Sequence, residues 1–202
     1  MQKERLVQGD SQGKARLIGI GGAGTGVGCT HFSVMLLNYL TGFLRRKAVL
    51  LEWNETGDFE RLEKVCTGIC EPGPGFRVLE ADYRKRAGRE ELQEALSGEY
   101  EDILMDFGSL DGGDWAEFLR CDKQFLLGSF SEWQQEVFRE LALPAKRGRK
   151  RSWVNLAVFG SEETRREFLR RYRIPVERIP FSADAFAVTK ECGNFFERLL
   201  RG

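Results

Sequence analysis

The chain has 202 residues, the length of one ordinary globular domain or two small ones. Lys+Arg 31 balance Asp+Glu 31, which argues against a histone-like or ribosomal-type nucleic-acid binder and against an acidic disordered tail. No apolar run approaches the ~20 residues that span a bilayer, and the N-terminus MQKERLVQGDSQGKA has no hydrophobic signal region, so the expected location is the cytoplasm. Five cysteines fit a reducing compartment better than a disulfide framework. His31 is the one histidine, and Cys29, Cys66, Cys70, Cys121 and Cys192 are poorly spaced for shared ligation, so a site of resident His and Cys metal ligands is not expected.

In chain order, the first ~14 residues are polar and expected to be poorly ordered. Strands are predicted at Arg16–Gly21, Ala48–Trp53, Phe76–Ala81, Ile103–Phe107, Lys123–Gly128, Val154–Phe159 and Arg178–Phe181. Helical patterns separate them, at Cys29–Leu44, Asp58–Val65, Arg89–Leu96, Gly113–Leu119, Glu132–Leu141, Glu162–Arg171 and Thr189–Leu200. Ser131 and Ser161, each followed by acids, read as helix starts, and Glu71-Pro72-Gly73-Pro74-Gly75 reads as a stiff turn. Strands apolar throughout, rather than alternating, imply burial on both faces. The expected fold is one α/β domain over residues 15–202, a doubly wound, mostly parallel seven-stranded sheet with helices on both faces. Between Arg139 and Arg173 eleven Lys/Arg face four Asp/Glu, and Lys146–Arg151 is a basic run, either a solvated loop or a contact for an acidic partner, a membrane surface or nucleic acid.

The glycine excess concentrates at Ile18–Thr30, IGIGGAGTGVGCT, ahead of the amphipathic run HFSVMLLNYL. A strand that ends in a glycine loop and turns into a helix offers backbone N–H groups and the helix dipole to an anion. Gly19, Gly21 and Gly24 satisfy the dinucleotide pattern G-x-G-x-x-G, but Gly26 and Gly28 delay the helix, and Glu52 lies too far along for the ribose-binding acid. The competing motif is the phosphate loop G-x-x-x-x-G-K-[ST], with the helix starting after Gly28 and Thr30 as the Mg-binding hydroxyl. Cys29 in the first helical turn could alternatively be an activated thiol.

The window Ala23–Thr30 resembles the variant phosphate loop of the ParA/MinD family, x-K-G-G-x-G-K-[ST]. Gly26, Val27, Gly28 and Thr30 match, whereas Cys29 and Gly24 stand where the family carries its two lysines. Glu52-Trp53-Asn54 stands at the family's D-x-D, and Asp106-Phe107-Gly108 is similar to the strand end whose Asp lies near Mg²⁺. The branch most similar in lacking a lysine is that of the CpaE/TadZ-like proteins, which localise Flp-type pilus machinery. The resemblance implies a P-loop NTPase-like fold and a nucleotide site at Gly24, Thr25, Gly26, Val27, Gly28, Cys29 and Thr30. Mg would be held by Thr30, Asp106 and Glu52. It further implies weak binding of ATP or ADP, absent or very weak hydrolysis, and a localisation or assembly role through a protein partner. The protein would act in the cytoplasm or at the periphery of the inner membrane. With Gly24 for the signature lysine, a monomer or weak homodimer is expected, with Lys146–Arg151 as a partner surface. A dinucleotide-dependent or thiol enzyme on the same loop and a ligand-free scaffold remain alternatives.

Overall fold

The computed structural model describes residues 14–143 and 153–201. The N-terminal segment 1–13 and the basic run Lys146–Arg151 therefore lie outside the described residues. Among the described residues eight strands form one sheet: β1 (Arg16–Gly22), β2 (Ala48–Glu52), β3 (Gly75–Val78), β4 (Ala81–Arg84), β5 (Asp102–Ser109), β6 (Lys123–Gly128), β7 (Val154–Ala157) and β8 (Glu177–Arg178). Their order is β3-β4-β2-β5-β1-β6-β7-β8, parallel throughout except for the β3/β4 pair. Seven strands were expected. The eighth arises because the single strand predicted at Phe76–Ala81 is an antiparallel hairpin, turned at Leu79 with φ 54°. Phe76 and Tyr83 stack across it at 4.9 Å, which fixes its register.

The helices are α1 (Cys29–Asn38), α2 (Asp58–Thr67), α3 (Arg89–Ser97), α4 (Trp115–Phe118), α5 (Gln135–Leu141), α6 (Glu162–Tyr172) and α7 (Lys190–Arg201). A π-helical turn, Tyr39–Phe43, carries α1 on toward the predicted end at Leu44. Ser161 caps α6 as expected, its Oγ accepting from Thr164 N at 3.0 Å. Ser131 does not open α5 directly. Its carbonyl accepts from Gln134 N and Gln135 N in a preceding turn, and the helix starts only at Gln135.

Alternate residues of each central strand supply two cores, one on each face of the sheet. On one face Leu50, Leu104, Phe125 and Leu127 pack with Phe32 of α1, Phe59 of α2 and Phe196 of α7. On the other, Val49, Leu51, Ile103 and Leu126 pack with Phe118 of α4, Phe138 of α5 and Phe168 of α6. The winding therefore reverses between two neighbours: β1 is followed by α1 on one face, and adjacent β5 by α4 on the other. At such a reversal the loops leaving the carboxyl ends of the strands part and open a crevice.

Candidate functional site

The glycine loop leaves β1 at that crevice. Ala23 N donates to Leu127 O (2.7 Å) and Leu110 N to Gly22 O (2.7 Å), so β6 and the β5 exit hold the base of the loop. Gly26 and Gly28 have φ of 73° and 89°, the left-handed region where a side chain is strained. A methyl group at Gly24 or Gly26 would meet nothing within 4 Å, so the outer side of the loop is open. At Gly22 the same addition would strike Val27 Cγ2 (2.7 Å) and Cys29 Sγ (2.9 Å), because the loop folds back over this residue.

Helix α1 starts at Cys29, with Gly28 at its N-cap, no capping side chain and no acid in its first turn. The helices around it are served differently: Glu52 accepts from Phe59 N in α2, Asp114 caps α4, Ser161 caps α6 and Thr189 Oγ1 accepts from Cys192 N in α7. The first amides of α1 have no intrahelical acceptor, and together with the helix dipole they form an anion-binding end. A start five residues beyond Gly24 also disagrees with the dinucleotide fingerprint, which needs the helix to open near its third glycine.

Asp106 pairs in register with Ile20 of β1 and with Glu52 of β2, so the loop and both predicted acids converge on one end of the sheet. Asp106 is fully buried; its Oδ1 accepts from Gly108 N at 3.0 Å, and its Oδ2 has no hydrogen-bond partner. Burial lifts its pKa to about 6, opposed by the Thr30 side chain and the Gly108 amide, with the Glu52 and Asp58 carboxylates adding to the rise. A buried carboxylate oxygen without a partner, acted on by a hydroxyl of the adjoining helix turn, fits a hard divalent cation that takes its remaining ligands from water and phosphate.

Glu52 is buried too, but both its oxygens are in use. Oε1 accepts from Phe59 N (3.0 Å) and Oε2 from Arg86 N (3.0 Å), so it straps α2 and the β4 exit to β2. Asn54 is likewise engaged: Nδ2 donates to Asp106 O (2.9 Å), and Oδ1 accepts from Thr56 N (3.0 Å) and Thr56 Oγ1 (2.7 Å). Cys29 is buried, and desolvation, reinforced by the Asp106 charge, pushes its thiol well above the usual range. Burial thus opposes the activated-thiol alternative, acting against the lowering that a helix N-terminus would bring.

Two features escaped the sequence. Gln134 Nε2 donates to Thr25 O (3.0 Å), tying the β6–α5 loop to the tip of the glycine loop across 109 positions. Beside the start of α1 lies a mostly apolar cavity of about 310 Å³, with Gly28, His31, Val158, Phe159, Pro180 and Phe181 among its walls. His31 Nε2 meets Ser182 O at 2.9 Å and closes one side. Ile179, Pro180 and Phe181, read in the sequence as part of the last predicted strand, form much of that wall.

No protein-family model and no curated protein matches the sequence. Solved structures match in fold. A plasmid partition protein from Borrelia burgdorferi bound to AMPPNP superposes with a TM-score of 0.66 at 14% identity, covering 94% of this chain and 98% of that one. A chain of the MinC:MinD cell division protein complex from Aquifex aeolicus gives 0.65 at 13%, covering 93% and 96%. A ParA family ATPase from Chlorobium tepidum gives 0.60 at 13%, covering 93% of each chain. The chain therefore has the P-loop NTPase-like fold of the ParA and MinD ATPases.

Proposed function

We propose that this chain is a degenerate ParA/MinD-like nucleotide-binding protein that acts as a localisation or assembly factor and has lost efficient hydrolysis. The observation that carries the reading is the Asp106 carboxylate, buried with one oxygen unpartnered at the end of β5, next to a helix that begins on two left-handed glycines without a cap. Backbone amides of Gly24–Thr30 would hold the phosphates, and Thr30 and Asp106 would hold Mg²⁺. Glu52, its oxygens committed to two amides, would act behind them as a strap. The 310 Å³ cavity at the start of α1 would take the base.

Neither lysine of the variant loop is present. The loss of one charged hydrogen bond costs roughly 1.5–3 kcal/mol, about 10- to 150-fold in affinity. Hydrolysis suffers more, because cationic contacts to the transferring phosphoryl group contribute ~10³–10⁵ in rate. The fold likeness to plasmid partition and MinC:MinD proteins supports work with a protein partner. Pilus or secretion machinery is the assembly we favour, with the chain as a monomer or weak homodimer and Lys146–Arg151 as a contact to an anionic surface. Among the described residues no helix is long and apolar enough to cross a membrane.

The test is calorimetric titration with ATP, ADP, GTP and NADH, with and without Mg²⁺, beside a steady-state ATPase assay at high protein concentration. Mg²⁺-dependent binding of adenine nucleotides with hydrolysis near background is expected. Silence toward every nucleotide would sink the binding reading, and ordinary turnover would sink the claim of lost hydrolysis.

A further inference from the structure

Across the Ile179–Phe181 segment from the base cavity lies a second cleft, of about 350 Å³, between β8 and the outer face of α7. We propose that it docks an extended acidic peptide, which adds to β8 as a further strand and sets a carboxylate between Arg178 and Arg198. The backbone supports strand addition. Among the described residues β8 is the last strand of the sheet and pairs only with β7. Ile179 N donates to Ala157 O at 2.9 Å, so Ile179 turns its amide toward β7. By the two-residue period of a strand, the N–H and C=O of Arg178 then point to the open side. The Val176 carbonyl is taken by Arg165 (3.4 Å) and Pro180 has no N–H, so the free donor and acceptor are those of Arg178, and the strand addition is a short one centred there.

The side chains define the occupant. Arg178 forms no ion pair among the described residues. Arg198 donates to the Asn194 carbonyl (3.3 Å) and lies 6.0 Å over the Phe195 ring, with no carboxylate partner among the described residues. Asn194 and Arg198 project from one face of α7, whose opposite face, with Cys192, Phe196 and Leu199, is buried in the core. Two arginines that line one cleft, neither paired with a carboxylate among the described residues, suit a carboxylate, which a guanidinium can hold by a forked pair of N–H donors. Phe181, 80% exposed at the mouth, offers apolar surface to a neighbouring peptide residue. Glu191 lies seven residues before Arg198, about 10 Å along the helix, so the cationic end of the cleft is the Arg198 end. A chain with its acid at one end fits better than one acidic throughout.

The experiment uses the full chain and a fluorescein-labelled synthetic hexapeptide of alternating Val and Thr that ends in a single Glu, read by fluorescence anisotropy. Comparators carry Lys in place of Glu, or N-methylated amides on alternate residues. Saturable binding of the Glu peptide is expected, weakened at least ~10-fold in the Arg178→Glu/Arg198→Glu variant. The Lys and N-methylated peptides should bind far less, and the amide resonances of Glu177, Arg178, Ile179 and Phe181 should shift on titration. Both arginines are exposed, so unchanged thermal unfolding certifies the variant. The proposal is overturned if the Glu peptide does not bind, if the charge-reversed variant binds it equally, or if the Lys or N-methylated peptide binds as well. Nucleotide binding is measured separately, so the two readings stand or fall apart.

Discussion

Asp106 makes stability and site chemistry inseparable, and the link can be measured. Its pKa rises from an ordinary 3.8 to about 6 on folding, mainly through burial. At 1.36 kcal/mol per unit, the charged carboxylate costs the folded state about 3 kcal/mol once both states are ionised. The sign follows from proton counting. Between pH about 4 and 6 the folded protein keeps a proton that the unfolded chain releases, so stability from this group is fully present at acid pH and falls as pH rises through 6. In Asp106→Asn that titration is gone. Urea unfolding of both proteins at stepped pH should therefore show the stability difference moving in favour of the variant by about 2–3 kcal/mol between pH 4 and 7.5. The lowered carboxylates elsewhere, such as Glu162 held near 2 by Arg165, are common to both proteins and cancel. A difference that stays constant across this range would refute the assignment of Asp106 as a buried charge without a counter-ion.

Restoring a cation to the loop with Cys29→Lys should raise ATP affinity about 10- to 150-fold by calorimetry, the reverse of the loss expected from one charged hydrogen bond. A variant that gains nothing would show that the loop does not cradle phosphates. Gly128→Ala would bring a methyl group to 2.1 Å from the Phe138 ring in a closed core, and should cost about 1–3 kcal/mol in urea unfolding. Glu52→Ala strips the acceptor from Phe59 N and Arg86 N and should lower stability by about 2–4 kcal/mol on the same assay. Ellman's reagent should find Cys66 and Cys70, both exposed, in the native protein, and Cys29, Cys121 and Cys192 only after unfolding.

The parallel sheet was legible because its strands are apolar on both faces and its helices carry their own stop and start chemistry. The hairpin was not, since Leu79 adopts φ 54° without the Gly or Asn that normally announces a turn. A subtler sign was there: Phe76 and Val78 sit at even positions, Ala81 and Tyr83 at odd ones, so the buried face changes parity between them. At the site, Asp106 was singled out through the likeness of Asp106-Phe107-Gly108 to the family's strand end, and the parallel register sets it level with Ile20 and Glu52. Glu52 was harder to place. Its partners are the backbone amides of Phe59 and Arg86, and backbone donors leave no mark on composition or spacing. The Gln134 bond to Thr25 O joins segments that only the folded sheet makes neighbours.

The central position of β1 also has a consequence for biosynthesis. β1 is made before both of its partners, β5 and β6, which lie 80 or more residues later, and its register is not closed until Lys123–Gly128 is in place. A nascent chain ending before β6 would carry the glycine loop on an apolar strand paired only with β5, its other edge open and no Leu127 carbonyl present to anchor Ala23. Contacts so distant in sequence form slowly and leave strand edges exposed in the meantime. Ribosome-stalled chains released just before and just after Gly128 should therefore differ sharply in protease resistance, with the loop gaining its shape late, in a single step, as β6 docks.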